Sequence, residues 1–174
     1  SKSEVSEVAL QYGASLVNDV TALKGDSRMA SVVARYQAGL VLMHMKGTPR
    51  TMQHHPAYGD IVSEINHFFE EKIQEAVQAG VREESLILDP GIGFGKSVTH
   101  NLEILQKLRD FRGLGRPLLV GVSRKSFIGQ ILGTPVEKRP STPLRTVPRE
   151  VEGRIFGTAA SVAVSILNGA DIVR

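Results

Sequence analysis

The segment Leu86 to Ser97, LILDPGIGFGKS, brings a carboxylate, a glycine-rich turn and an ammonium together at the end of an apolar run. A Gly-rich loop between a strand and a helix suggests phosphate binding, because exposed backbone N–H groups and the helix N-terminus attract anions. The spacing excludes the two common versions. A P-loop requires Gly five residues before the Gly of its Gly-Lys pair, and the residue five before Gly95 is Pro90. A dinucleotide fingerprint requires a Gly three residues after its second Gly, but Gly93 is followed by Gly95, and Asp89 precedes the loop. What remains is a strand-terminal acid, Asp89, on a loop that lets backbone and ligand approach closely.

Other chargeable side chains sit at equivalent places. Asn18 and Asp19, His44, Ser123 with Lys125, and Arg174 each close a short apolar run. Any one of them fits equally well as a cap or a hydrogen bond within a sheet. Together they offer an amide, a carboxylate, an ammonium and a guanidinium, a set suited to a flat polar heterocycle bearing an anionic group. His44 reads as a structural hydrogen-bonder rather than a metal ligand, since no carboxylate lies at ligand spacing from it. His54 and His55 lie in a long polar loop, and adjacent histidines are weak grounds for zinc.

These residues require elements that carry them to one edge. Five times an amphipathic helix pattern ends near Gly and is followed by an apolar run of strand type. The first helix carries Val5, Val8, Ala9 and Tyr12 and stops at Gly13, before SLVNDV. Asp26 is the expected N-cap of a second, with Met29, Val32, Val33 and Tyr36 on one face, before LVLMH. The third carries Ile61, Ile65, Phe68, Phe69 and Ile73 before SLILD. The fourth carries Leu102, Leu105, Leu108 and Phe111 before PLLVGVS. The fifth runs from about Glu150 to Leu167 before DIVR, and its Gly157, Ala159, Ala160 and Ala163 allow close packing. Apolar strands separated by helices belong to a parallel sheet with helices laid over it. The class is α/β, and residues 1–174 read as one domain. A doubly wound sheet and a (β/α)8 barrel both fit the alternation, although five strands are short of a barrel's eight.

Composition narrows the function. The 174 residues are 41% apolar and 22% charged, an ordinary globular balance with no membrane-length apolar run. Lys and Arg number 21 against 18 Asp and Glu, a net charge of only +3, and they are scattered, so a nucleic-acid stripe is not expected. Without Cys, disulfides, thiolate metal sites and a cysteine nucleophile are excluded. No charged-then-apolar leader opens the sequence, and a cytoplasmic location is the expectation.

DPGIGFGK after an apolar strand, with VNDV, LMHMKGTPRTMQ and VGVSRKSFIG in that order, resembles the dihydropteroate synthases, pterin-binding enzymes of folate synthesis. The resemblance covers nearly the whole chain. It implies a (β/α)8 TIM barrel of which these residues supply roughly strands 4 to 8. The family's first three strands, with their Asn toward Mg2+, a Gly-Gly-Glu-Ser-Thr-Arg-Pro type loop and a pterin-contacting Asp, have no counterpart in these residues, nor does the His that follows the family arginine. On that basis the chain by itself is not expected to turn over. Around the stretch RPSTPLRTVPRE stand Arg139, Arg145, Arg149 and Arg154, where the family has a shorter connection, and it reads as a surface loop insertion.

The reaction the resemblance implies joins 6-hydroxymethyl-7,8-dihydropterin diphosphate to 4-aminobenzoate, giving 7,8-dihydropteroate and diphosphate. Asp89, Lys125 and Arg174 are implied as catalytic. Asp89 would accept from the 2-amino and ring N–H edge of the pterin, and Asn18 would add a donor and an acceptor. Lys125 would donate to the pterin carbonyl, and Arg174 would stack on the ring and hold the leaving anion. Met43 would pack on the pterin and Gly121 would allow its approach, with Phe94 and Ser126 toward aminobenzoate. No metal ligand is expected in these residues; Mg2+ would be held through diphosphate and the family's first strands. Sulfonamide inhibitors and a homodimer are further expectations, with no nucleic-acid or membrane partner. A pterin-binding barrel without catalysis, and a methyltetrahydrofolate-binding methyltransferase domain, are the alternatives. The SRKS segment, Ser123 to Ser126, argues against the latter.

Overall fold

A computed structural model describes residues 1–47, 52, 56–133 and 153–174. Five parallel strands run through it: β1 (Leu16–Asp19), β2 (Gly39–Met43), β3 (Leu86–Asp89), β4 (Leu119–Val120) and β5 (Ile172–Val173). β1, β2 and β3 form one ladder and β4 and β5 another. A bridge between Leu88 and Leu118, and a bond from the Leu88 N–H to the Pro117 carbonyl at 2.9 Å, join the two. Each strand therefore lies beside its sequence neighbour, with no reversal of order of the kind a doubly wound sheet has.

Alternation divides the sheet into two faces. Val17, Leu40, Leu42, Leu86, Leu88, Leu118, Val120 and Val122 enter the main core, where helices cover them. Around them pack α1 (Ser3–Gln11), α2 (Met29–Arg35), α3 (Ile61–Gln78), α4 (Val98–Gln106), α5 (Ser126–Ile131) and α6 (Ile155–Leu167). α3 begins because the Asp60 carboxylate accepts from the N–H groups of Val62 and Ser63, and it buries Ile61, Val62, Ile65 and Phe69. α4 begins with a reciprocal cap. The Ser97 hydroxyl accepts from the His100 N–H at 3.1 Å, and the Ser97 N–H donates to His100 Nδ1 at 3.2 Å.

The other face carries Asn18, Val41 and Ile87 at one level, Met43, Asp89, Leu119 and Ile172 at the next, and Gly121 and Arg174 beyond them. These last two levels are the carboxyl end of the sheet, so the fold itself delivers the chemistry-bearing residues to one rim.

Several local expectations are corrected. Asp26 does not cap α2. Its carboxylate accepts from the Arg28 N–H at 3.0 Å, in the turn before that helix, and also from the Ser3 N–H at 2.9 Å and the Ser3 hydroxyl at 2.7 Å, a tertiary cap for the start of α1. Val5, Val8 and Tyr12 of α1 are exposed, because α1 packs on α2 through Leu10 and Ser3. The fourth helix breaks after Gln106, and Leu108–Leu114 continues as a 3-10 helix that still buries Leu108 and Phe111. α5 was not expected, since its six residues are too few to show a helical period. The small residues of α6 do allow close approach. A Cβ at Gly157 would fall 2.4 Å from Ile128 Cγ2 of α5. Among the described residues no helix is long and apolar enough to cross a membrane. His54, His55, Arg139, Arg145, Arg149 and Glu150, the expected start of the fifth helix, lie outside them.

Candidate pterin site at the strand ends

Asp89 ends β3 as the register partner of Met43, and both are almost fully buried, at 2% and 1% exposure. The chain then turns sharply, and the Gly91 N–H donates to Asp89 Oδ1 at 2.7 Å. Glycine is required at this turn. Gly91 has φ +70°, and a Cβ there would fall 1.9 Å from the His44 carbonyl oxygen. Gly95, at φ +67°, presses in the same way on the Lys46 backbone. The loop after β3 is thus folded down onto the segment leaving β2.

Burial pushes the Asp89 carboxyl upward from the ordinary carboxylate range, while the Gly91 N–H and the charges of Lys125, Arg174 and Lys96 pull it back down. An acid held in this balance gains from any ligand that offers donors to its anionic form. A planar edge with two N–H groups is such a ligand.

Lys125 and Arg174 come from the next two strands. Lys125 precedes α5 with its ammonium 3.9 Å above the centroid of the Phe94 ring, in the loop after β3. A Cβ at Gly93 would lie 3.1 Å from Lys125 Cδ. Burial lowers the Lys125 ammonium, as does Arg174, and Asp89 opposes them. The Arg174 guanidinium lies over Gly121, with Nη2 3.2 Å and Cζ 3.7 Å from where a Cβ would be. The charges of Asp89, Lys125 and Arg174 thus act on one another at the ends of β3, β4 and β5.

Phe94 and Ser126 are half-buried beside Lys125 in sequence or in space, and Asn18 is exposed on β1, one rung below Asp89 on the same face. Asp19 points the other way. It is 1% exposed, and its carboxylate accepts from the N–H groups of Thr21 and Leu23 and the Thr21 hydroxyl, so it caps the turn after β1. His44 is engaged with Lys96 Nζ at 3.0 Å and edge-on to Phe68, with ring centroids 4.9 Å apart. Among the described residues no group of three or more His, Cys, Asp or Glu could hold a metal ion.

Two supporting features escaped the sequence. Lys96, first met as part of a failed P-loop match, is 3% exposed and lies inside the site's base. No spacing rule signals this, because its burial depends on the loop folding over β2. Arg124, at φ +54°, is held by its N–H to the Thr158 hydroxyl at 3.0 Å and by Arg154 Nη1 to its carbonyl at 3.2 Å. Residues some thirty positions downstream thus fix the turn that aims Lys125.

This arrangement has close counterparts. The family model described as pterin binding enzyme matches residues 1–174. The dihydropteroate synthase of Synechocystis sp. is 42% identical over 173 residues, covering 99% of this chain and 55% of that protein. The dihydropteroate synthase of Escherichia coli K12 is 40% identical over 176 residues, covering 100% of this chain and 56% of that protein. Among solved structures, Yersinia pestis dihydropteroate synthase in a sulfonamide drug complex superposes with a TM-score of 0.88 at 36% identity, covering 100% of this chain and 57% of the other. Xanthomonas albilineans dihydropteroate synthase in complex with 7,8-dihydropteroate gives a TM-score of 0.82 at 35% identity, covering 99% and 57%. The chain thus spans little more than half the length of these relatives.

Proposed function

The chain belongs to the pterin binding enzyme family, and from that premise we propose that it carries the pterin side of a dihydropteroate synthase. The reaction is the condensation of 6-hydroxymethyl-7,8-dihydropterin diphosphate with 4-aminobenzoate. The observation that carries this reading is the meeting of Asp89, Lys125 and Arg174 at the ends of three adjacent strands.

In this reading Asp89 accepts two hydrogen bonds from the 2-amino and ring N–H edge, and Lys125 donates to the carbonyl side of the same ring. Met43 forms the apolar floor, and Asn18 adds a donor and an acceptor from β1. Gly121 leaves room for the Arg174 guanidinium to stack. The C–O bond to diphosphate breaks with its electron pair leaving on oxygen, and the amine nitrogen of aminobenzoate bonds to the freed methylene carbon and then loses a proton. Arg174 and Lys125 favour departure of the anion electrostatically, and no covalent enzyme intermediate is needed. Phe94 and Ser126 border the aminobenzoate side. Mg2+ would be held mainly through the diphosphate and by residues outside this chain, where it would neutralise charge on the leaving group.

The barrel reading, with these strands as fourth to eighth, is supported by the unreversed strand order and by edges at β1 and β5 that have one neighbour each. Leu16 and Ile172 on the inner face are correspondingly exposed. Homodimerisation is supported by α6, whose Ile155, Phe156 and Leu167 lie in solvent. The sulfonamide complex of the Yersinia pestis relative supports sulfonamides as competitors of aminobenzoate here. The test is diphosphate release by the intact protein given both substrates. Pterin binding without release would leave a binding protein only, and binding of a methylated folate in place of pterin diphosphate would favour the methyltransferase reading.

A further inference from the structure

Lys96 is not assigned a part in the chemistry above, yet it is among the most buried charged groups in the molecule. Its Nζ lies 3.0 Å from His44 Nδ1, 3.1 Å from the Phe94 carbonyl and 3.4 Å from the His44 carbonyl. Three acceptors match the three donors of an ammonium, with His44 accepting at Nδ1 in its neutral form. The same Nζ would be 3.4 Å from a Cβ on Gly91, the residue whose N–H holds Asp89 Oδ1. With no side chain at Gly91, nothing larger than backbone separates the Lys96 ammonium from the turn that carries the Asp89 carboxylate.

We propose that Lys96 is a positioning residue for the pterin site: it fastens the Gly91–Gly95 loop to the end of β2 and, beside Lys125 and Arg174, adds a buried positive charge that favours Asp89 as the anion that accepts the pterin edge. This rests on the reading of Asp89 as the pterin acceptor. The groups facing Lys96 are His44 from the end of β2, Asp89 from β3 and Lys125 from the loop after β4. Burial and Lys125 both oppose its charge and Asp89 favours it, which brings the ammonium down to about 7. His44 is kept neutral in turn by its burial and by Lys96, Lys24 and Lys46. The Lys96 charge is therefore lost at a lower pH than that of an ordinary lysine, and Asp89 loses a favourable neighbour with it.

The test compares Lys96→Met with the unsubstituted protein, titrating a dihydropterin at about pH 6 and about pH 8.5. Loss of the cation lets Asp89 take its proton more readily. The deficit in affinity at the lower pH is then expected to exceed that at the higher pH by about tenfold, the factor for one unit of change in a carboxylate. Lys96→Arg, which stays charged, restores binding at the lower pH. An equal deficit at both values makes Lys96 a structural tie and overturns the proposal. If neither variant folds, NMR of the unsubstituted protein decides. The Asp89 carboxyl carbon must show a step at the pH where the Lys96 side chain loses its proton, and its absence overturns the proposal. That step needs no ligand, whereas an unsubstituted protein that binds no pterin at either pH counts against the reading of the site itself.

Discussion

The ammonium of Lys125 stands 3.9 Å above the centroid of the Phe94 ring, so the loops after β4 and β3 meet through this pair. Asp89 and Arg174 act on the same cation in opposite senses, the acid favouring its charge and the guanidinium opposing it. In the intact protein, Lys125→Ala is expected to abolish the proposed condensation while changing stability by no more than about 1 kcal/mol, the value of such a contact at a partly exposed site. Steady-state assay together with thermal unfolding checks this. Near-normal turnover would remove Lys125 from the mechanism.

Asp89→Asn keeps the size of the side chain and removes its charge. It is expected to cost about 2 to 5 kcal/mol in pterin affinity, the range for breaking a buried charge-assisted pair. Calorimetric titration of a dihydropterin measures it. Because burial raises the Asp89 carboxyl, affinity in the unsubstituted protein should begin to fall at a higher pH than an ordinary carboxylate would give.

Gly91→Ala must place a methyl group against the His44 carbonyl at a left-handed backbone position. The conformation alone costs about 1 to 2 kcal/mol, and the overlap adds to it. Denaturant unfolding should show a loss above about 2 kcal/mol, accompanied by weakened pterin binding. A neutral effect would mean that the turn after β3 is not as tight as described.

His44 makes folding sensitive to acid. Burial, with the charges of Lys96, Lys24 and Lys46, lowers its ring from 6.5 to about 2. Between these values the unfolded chain binds a proton that the folded chain refuses, so stability is lost as pH falls below 6.5. The ring alone accounts for about 2 kcal/mol by pH 5, at about 1.4 kcal/mol per unit. Unfolding free energies across this window should fall less steeply for His44→Gln. Identical slopes would contradict the account.

The strands were legible because each is a short apolar run closed by a polar or chargeable residue, and the register brings Met43 and Asp89 to one level with Gly121 and Arg174 just beyond it on the same face. The sequence could not distinguish Asn18 from Asp19, since only the register decides which of two adjacent side chains faces the rim and which caps a turn. Asp26 looked like a local helix cap, but its best donors belong to Ser3, far away in sequence. Lys96 was hidden for a related reason. A lysine after glycine ordinarily reads as a solvated or phosphate-binding group, and only the fold of the loop over His44 buries it.

The most direct measurement is a crystal structure of the intact protein with a dihydropterin bound. The 2-amino and ring N–H edge is expected at hydrogen-bond distance from the Asp89 carboxylate, with Lys125 on the carbonyl side and Arg174 against the ring face. A pterin seated away from these three residues would contradict that expectation.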